Sequence, residues 1–242
     1  MGWHEHLGDG DRAWYDGYLS TVIDRDIRNF ATLSHGDAVR RLLILITARA
    51  GSLAVLSDLA RSVDLARDTT RNYLRYLDTV YLTTSLQPWS TNLISRLVKT
   101  PKVYPSDSGL ASHLLGATAS ELAEPGNPDL GRLLEIFVVT ELRKIISNHP
   151  ERIGIFHLRT KEQREIDVIL EDAHGRIVAI EVKATRSPAP TALNGLRWLR
   201  RTIGSKLHAG LLLHLGTQAT AHGDGLYSVP LSALWDHLRP KR

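Results

Sequence analysis

The sequence predicts a mixed α+β protein in which a helical part precedes a part with the order helix, three strands, helix, strand. Apolar residues recur at helical spacing in two segments, and they alternate with a period of two in two others. A Pro- and Gly-containing segment at residues 119–129 marks the boundary between the two parts. The predicted elements of the second part are a helix at 130–146, strands at 153–158, 166–170 and 178–182, a helix at 191–203 and a strand at 209–215.

Residues 165–184 form a predicted hairpin with charged residues at positions where core residues are expected. A turn centred on His174 places Asp167 directly opposite Glu181, so that both side chains leave the sheet on one face. Lys183 follows on the same face two residues later. Two carboxylates and an ammonium group therefore share one patch of the predicted sheet.

Facing carboxylates repel each other unless a cation lies between them, and Mg²⁺ takes oxygen ligands while keeping several waters. Asp167 and Glu181 are therefore predicted ligands of Mg²⁺ or Mn²⁺, and Lys183 is expected to act on the attacking water or on phosphate charge. Glu135, beside the apolar stripe of the preceding helix, is a predicted third carboxylate. The alternatives are a solvated ion network for the hairpin and a helix-dipole contact for Glu135.

This arrangement resembles the PD-(D/E)xK nuclease superfamily, with an acid on the first helix, an aspartate on the second strand and Glu-x-Lys on the third. Three longer strings restrict the resemblance to one family. They are LLEIFVVTELR at residues 133–143, RTKEQREID at 159–167 and PWSTNLISRLVKTPKVYPSDSGL at 88–110. They are similar to the C-terminal region of a family of prokaryotic AAA-type ATPases. In that family the ATPase module precedes a winged helix and a restriction-endonuclease-like domain of αβββαβ order.

The resemblance implies three regions: an N-terminal linker helix at 1–36, a winged-helix domain with a joining segment at 37–118, and a PD-(D/E)xK nuclease-like domain at 119–242. It also implies that the chain is the C-terminal part of a longer protein with an AAA-type ATPase module. The phosphate-cradling loop Gly-x-x-x-x-Gly-Lys-Ser/Thr is absent from this sequence, so no ATP site is expected in it.

The string LARDTTRNYLRYL at residues 65–77 has the pattern of a DNA-recognition helix. Asp68 is expected to cap it. Its buried side is expected to comprise Leu74, Leu77 and Tyr81. Another side of this helix carries an arginine every four residues. These arginines, Arg67, Arg71 and Arg75, are the predicted DNA contacts. The alternatives are a solvated face and a surface that docks the ATPase and nuclease-like modules.

Two other basic groups face either a phosphate backbone or solvent. The first group lies in the joining segment and comprises Arg96, Lys99 and Lys102, for which a solvated loop is the preferred interpretation. The second group lies on the predicted helix at 191–203 and comprises Arg197, Arg200 and Arg201. His4 and His6 are assigned to an N-terminal tail because they lack the spacing of a zinc-binding helix.

Composition restricts the function classes. The sequence has 30 Lys and Arg against 26 Asp and Glu, and this net charge of +4 suits an anionic partner without requiring one. The absence of cysteine excludes disulfides, thiolate metal sites and cysteine catalysis. No apolar run approaches the ~20 residues of a membrane span, and no signal peptide is found, so a cytoplasmic protein, monomeric or oligomeric, is expected.

The sequence thus favours a metal-dependent, nuclease-like module that processes DNA as the C-terminal part of an AAA-type ATPase. Its expected catalytic residues are Asp167, Glu181, Lys183 and Glu135. The alternatives are a module that binds DNA without cutting it and a protein-interaction or assembly module of the ATPase.

Overall fold

A computed structural model describes residues 9–25, 36–90, 100–124 and 126–238. The chain divides into two compact units. The first unit comprises residues 1–85 and 103–129, and the second unit comprises residues 86–102 and 130–242. The predicted fold class is confirmed, because a helical N-terminal part precedes a mixed eight-stranded sheet. The predictions for His4, His6, Arg96 and Lys99 lie outside the described residues.

The first unit is mainly helical. Its helices are α1 (Asp9–Ser20), which continues into a π-helical turn (Thr21–Arg25), α2 (Gly36–Ala48), α3 (Leu56–Ser62), α4 (Arg67–Thr79), α5 (Ser108–Leu115) and α6 (Ala119–Leu122). Apolar residues at helical spacing build one core, whose buried members include Leu19, Leu42, Leu43, Leu59, Tyr73, Leu77 and Leu110. Helices α2, α3 and α4 lie in the region where a winged-helix domain is predicted, and that assignment stays a prediction.

Two predictions about α4 are wrong. Ala66 occupies the N-cap position without a side-chain cap bond, and Asp68 lies inside the first turn, where it pairs with Arg71. An acid at this position still interacts favourably with the positive end of the helix dipole. Tyr81 is 83% exposed, because the chain turns there with a φ of 58° instead of continuing the helix.

Tyrosines, which the sequence did not indicate as core residues, fill the buried side of α4. Tyr73 and Tyr76 are buried beside Leu77, whereas Leu74 is only half-buried. The Tyr76 hydroxyl donates to the Val22 carbonyl oxygen at 2.7 Å. A buried tyrosine needs such a partner for its hydroxyl, so this contact explains how the ring is accommodated in the core.

The residues Asp107 to Gly109 predict a turn after a strand, but the structure has the start of helix α5 there. Asp107 is its N-cap, and the Asp107 Oδ1 atom accepts a hydrogen bond from the Leu110 N–H at 2.7 Å. Gly116 ends the helix in the left-handed conformation, with a φ of 65°. An aspartate followed by a glycine fits a turn and a helix N-terminus equally well, which accounts for the error.

The strands are β1 (Thr83–Pro88), β2 (Lys102–Pro105), β3 (Gly154–Arg159), β4 (Glu165–Glu171), β5 (Ile177–Lys183), β6 (Leu207–His214), β7 (Thr220–Ala221) and β8 (Leu226–Pro230). Their order in the sheet is β2-β1-β3-β4-β5-β6-β8-β7. Strand β3 pairs antiparallel with β4 and β4 with β5, whereas β5, β6 and β8 run parallel. The sequence at residues 227–229, followed by Pro230, predicts an edge strand; this prediction is wrong, because the short β7 pairs with the outer side of β8.

The helices of the second unit complete the predicted order. Helix α7 (Pro128–Ser147) precedes β3, and α8 (Asn194–Ile203) connects β5 with β6. Short 3₁₀ segments lie at Pro190–Leu193, Gly204–Lys206 and Leu231–Leu238. Apolar residues of α8 pack on the sheet in one core, which includes Ile166, Ile169, Ala179, Leu196, Leu199, Leu207 and Leu212. No helix within the described ranges is long and apolar enough to cross a membrane.

Candidate active site

The β4–β5 hairpin has the predicted register. Its Cα partners run from Val168 with Ile180 to Glu171 with Ile177, so the pairing is centred on His174. The next residues along the two strands are Asp167 and Glu181. Residue types alone were therefore enough to predict that these two carboxylates lie side by side.

The turn of the hairpin fixes this register. Asp172 Oδ1 accepts hydrogen bonds from the backbone N–H groups of His174 and Arg176, at 2.9 and 2.8 Å. Gly175 adopts a φ of 74°, a conformation that most side chains disfavour. An aspartate that binds the backbone ahead of it and a glycine with positive φ together close the loop.

Asp167 is held at the point where β4 leaves β5. Its Oδ2 atom accepts a hydrogen bond from the Val182 N–H at 2.8 Å. Burial and the neighbouring charge of Glu135 raise the pKa of Asp167 from 3.8 to about 6, although Lys102 and Lys183 oppose the shift. The backbone therefore orients the carboxyl group of Asp167, but the nearby positive charges do not fully offset its negative charge.

Glu181 is more strongly perturbed. It is 6% exposed, and its Oε2 atom accepts from Lys183 Nζ at 3.2 Å. Burial and the charge of Asp167 raise the pKa of Glu181 from 4.5 to about 8, against the effect of Lys183. Burial lowers the pKa of Lys183, but Glu181 and Asp167 outweigh burial and raise it, so the amine stays protonated.

Gly195, in the first turn of α8, allows this helix to approach Glu181. A Cβ atom at this position would lie 2.8 Å from Glu181 Oε1 and 3.3 Å from the Glu165 carbonyl oxygen. Only glycine fits without displacing one of these groups. The positive end of the α8 dipole therefore lies close to the Glu181 carboxylate.

Lys102 is the residue of this site that the sequence did not identify. The preferred interpretation as part of a solvated basic loop is wrong, because Lys102 is fully buried. Its Nζ atom lies 2.6 Å from Glu165 Oε1 and 3.3 Å from Glu135 Oε1. Burial lowers the pKa of Lys102, but Glu135, Asp167 and Glu165 together raise it, so the ammonium group is retained.

His157 and Glu165 complete the surroundings of Lys102. His157 lies on β3, and burial together with the charge of Lys102 lowers its pKa to about 4, so its ring is neutral near pH 7. Glu165 begins β4 and also lies 3.9 Å from Arg159. In the sequence Glu165 is visible only as an acid two residues before Asp167, and nothing local connects His157 or Lys102 with the hairpin.

A divalent cation fits part of this donor set. Asp167 and Glu181 offer carboxylate oxygens, and the charge of Asp167 raises the pKa of Glu181, an effect that a cation between them would cancel. No group of three His, Cys, Asp or Glu in the described part of the chain is arranged to hold a metal. Mg²⁺ often takes only one or two protein carboxylates and keeps its waters. Glu135 contacts Lys102, and its role as a third ligand stays a prediction.

The predicted DNA contacts lie in the first unit. On α4, Arg67 and Arg75 are exposed, whereas Arg71 forms an ion pair with Asp68. These contacts stay predictions. In the second unit, Arg197 donates to the Pro190 carbonyl oxygen at 2.9 Å, and Arg200 donates to the carbonyl oxygens of Gly204 and Leu207, whereas Arg201 is exposed.

Comparisons with known proteins relate the two parts of the chain to two domain families. Residues 3–121 match the model of a domain of unknown function, DUF8612, and residues 130–234 match that of another, DUF4143. The second domain is found in proteins associated with AAA ATPases, which confirms the predicted relation at this level. The gap between the two matches includes Asp129, after which the compact units divide.

Individual relatives add no activity. Uncharacterized proteins of Mycobacterium bovis and Mycobacterium tuberculosis are each 33% identical over 177 residues, which are 73% of this chain. The chain spans 39% of the length of these relatives. In a comparison of structures, this chain is similar to one chain of a half-complex of Thermococcus gammatolerans McrB AAA+ hexamers with bound McrC. The match covers 80% of this chain and 46% of the other chain, with 11% sequence identity. Its TM-score of 0.32 is too low to bear on function.

Replacing Glu181 by glutamine should flatten the pH dependence of stability. Because folding raises the pKa of Glu181 from 4.5 to about 8, the folded protein binds this proton more tightly than the unfolded chain. Stability therefore falls as the pH rises from about 4.5 to about 8, by at most about 1.4 kcal/mol per pH unit for this carboxyl. Urea unfolding of the parent and Glu181→Gln proteins in EDTA measures the difference. Equal pH profiles would contradict the assigned cause, and exposed Glu151→Gln is the control.

Replacing Lys102 by methionine should destabilise the fold by about 3 kcal/mol, because it leaves Glu135 and Glu165 without their buried cation. The free energy of unfolding at pH 7 measures this loss. Lys161→Met, at an exposed turn position, should change stability by less than about 0.5 kcal/mol. A Lys102→Met protein as stable as its parent would show that the ammonium group does not balance these carboxylates.

Proposed function

We propose that the second unit is a metal-dependent, nuclease-like module that hydrolyses DNA phosphodiesters with Mg²⁺ or Mn²⁺. The observation that carries this proposal is the half-buried Asp167 and the buried Glu181 beside Lys183, where both carboxylates have raised pKa values. A fold gains no stability from two neighbouring carboxylates whose charges are incompletely compensated, whereas a metal site requires carboxylate oxygens. Their arrangement supports a functional role more strongly than a structural one.

In this proposal, Asp167 and Glu181 hold the metal ion. A bound Mg²⁺ supplies Lewis-acid polarisation of the phosphate and activates water as a nucleophile. The Val182 N–H keeps Asp167 Oδ2 in place, and Lys183 Nζ contacts Glu181 Oε2. Both carboxylates are thus oriented before any substrate arrives, which avoids the cost of ordering them during the reaction.

Lys183 is the residue that would contact the reacting phosphate. Its side chain is 43% exposed, so its ammonium group reaches both Glu181 and solvent. Because it stays protonated, it is suited to stabilising negative charge on a phosphate oxygen and to orienting a water, and not to removing a proton. Lys102 and Glu135 act behind this group as positioning residues, since their ion pair is buried.

Binding of DNA by the first unit is a second candidate function, favoured by the two exposed arginines of α4, Arg67 and Arg75. They lie in the second helix of a helix-turn-helix order, the element that enters the major groove in proteins of that class. We further propose that the module works with an AAA-type ATPase, because DUF4143 is found in AAA-ATPase-associated proteins.

The nuclease proposal predicts cleavage of linear, supercoiled or branched DNA by the 242-residue chain in Mg²⁺ or Mn²⁺. Asp167→Asn and Lys183→Met should each lower the initial rate by at least about 100-fold, because each removes a group that acts in the transition state. Gel quantification of the products gives the rates.

Asp224→Asn and Lys161→Met, both at exposed positions, are the matched controls and should cleave like the parent. Thermal unfolding of every variant separates lost chemistry from lost folding. Absence of cleavage with all three DNA forms and both metals, by a folded parent protein, would contradict the nuclease proposal.

The DNA-binding proposal predicts that Arg67→Ala and Arg75→Ala weaken binding to a 20-base-pair duplex measured by fluorescence anisotropy in EDTA. Each substitution should lower the slope of log affinity against log salt by about 0.9 if it removes one phosphate contact. Arg61→Ala on α3, at another exposed position, should leave the slope unchanged. Identical slopes for all variants would exclude α4 as the contact surface.

A further inference from the structure

A second polar site lies beside Lys183, at the carboxyl ends of the parallel strands β5 and β6. It is a cleft of about 700 Å³, here called the β6 cleft, and is lined by residues that include Arg186, His214, Gly216, Thr217, His222 and Ser228. Lys183 is the Cα partner of His214 in the parallel pairing, so the two side chains leave the same face of neighbouring strands. The cleft therefore adjoins the candidate active site by one strand spacing, ~4.8 Å.

The backbone at the floor of the cleft is tightly fixed. Leu215 N–H donates to the Thr185 carbonyl oxygen at 2.9 Å, which extends the β5–β6 pairing beyond the strand ends. A Cβ atom on Gly216 would lie 2.4 Å from the Arg186 carbonyl oxygen and 2.8 Å from His214 Nδ1. Glycine is therefore required where these segments meet.

This backbone also fixes the proton of the buried histidine. His214 is 4% exposed, and its Nδ1 atom accepts a hydrogen bond from the Gly216 N–H at 2.9 Å. The neutral ring must then carry its proton on Nε2, which makes Nε2–H a donor. Within the described residues Nε2–H has no hydrogen-bond partner, and His214 lines the cleft.

The other lining groups suit an anion. Among the described residues that line the cleft, none is Asp or Glu. Arg186 is exposed at the rim, and Ser228 Oγ lies 2.7 Å from His222 Nε2. A guanidinium group, an imidazole N–H and hydroxyl groups are the donors that phosphate oxygens accept from.

We propose that the β6 cleft binds a backbone phosphate of a nucleic acid strand, next to the phosphate that contacts Lys183. This proposal rests on the proposed nuclease-like function and names how its substrate is held. Arg186 neutralises the phosphate charge at the rim, and the His214 Nε2–H donates to a phosphate oxygen at the floor. A nucleic acid strand held at two successive phosphates would thereby lie across the carboxyl ends of β5 and β6.

Binding without metal tests the β6 cleft separately from cleavage. The affinity of the full chain for a fluorescein-labelled 15-nucleotide single strand is measured by anisotropy in EDTA. Arg186→Ala and His214→Gln should each weaken binding about tenfold, because each removes a hydrogen bond to a charged group. Gln retains an acceptor for the Gly216 N–H, and Arg186 is exposed, so both variants should fold, which thermal unfolding checks. Arg152→Ala and His174→Gln are exposed controls that should bind like the parent.

Inorganic phosphate distinguishes a strand from a free ion as the ligand. If phosphate stabilises the parent through Arg186 while the oligonucleotide does not bind, the cleft is a free-phosphate site and the proposal is overturned. Unchanged oligonucleotide affinity in both variants would also overturn it. Binding that depends on Arg186 and His214 in a chain that never cleaves would support the cleft proposal and refute the nuclease proposal. With active protein, Arg186→Ala should raise KM and leave kcat within about twofold.

Discussion

The ammonium group of Lys102 is the charge on which the candidate site depends. It is fully buried, contacts Glu135 on α7 and Glu165 on β4, and lies close enough to Asp167 to oppose the rise in that carboxyl's pKa. Without it, acids from a helix and a strand would meet in a desolvated space with no compensation. Lys102 thus permits α7 and the hairpin to pack together while two carboxylates remain under-compensated.

The division of the acids into two groups has a functional meaning. Glu135 and Glu165 form ion pairs with Lys102, whereas Glu181 contacts Lys183, and the charges of Lys102 and Lys183 only partly offset the rise in the pKa of Asp167. The acids of the first group are held in ion pairs with Lys102, whereas those of the second remain under-compensated beside Lys183, whose side chain is 43% exposed. A structural interpretation therefore suits the first group, and a catalytic or ligand-binding interpretation suits the second.

The sequence predicts features that depend on local periodicity. The hairpin register follows from alternation and from the turn residues Asp172 and Gly175, and the order of elements in the second unit follows from switches between helical and strand spacing. Lys102 and His157 could not be predicted in this way, because only tertiary packing brings them to the hairpin. Tyr81 was misplaced because its backbone φ of 58° ends the helical periodicity.

The turn centred on His174 determines which residues share a face of the sheet, since strand side chains alternate sides. Inserting one residue between Asp172 and Gly175 would preserve Asp167, Glu181 and Lys183 in the sequence, yet it would move one strand by one position. Asp167 would then align with Ile180 or Val182, and its carboxylate would leave the opposite face of the sheet from Glu181. The length of the β4–β5 loop therefore matters as much for this site as the identity of its charged residues. A homologue with a loop of different length can keep every charged residue and still lack the pairing of Asp167 with Glu181.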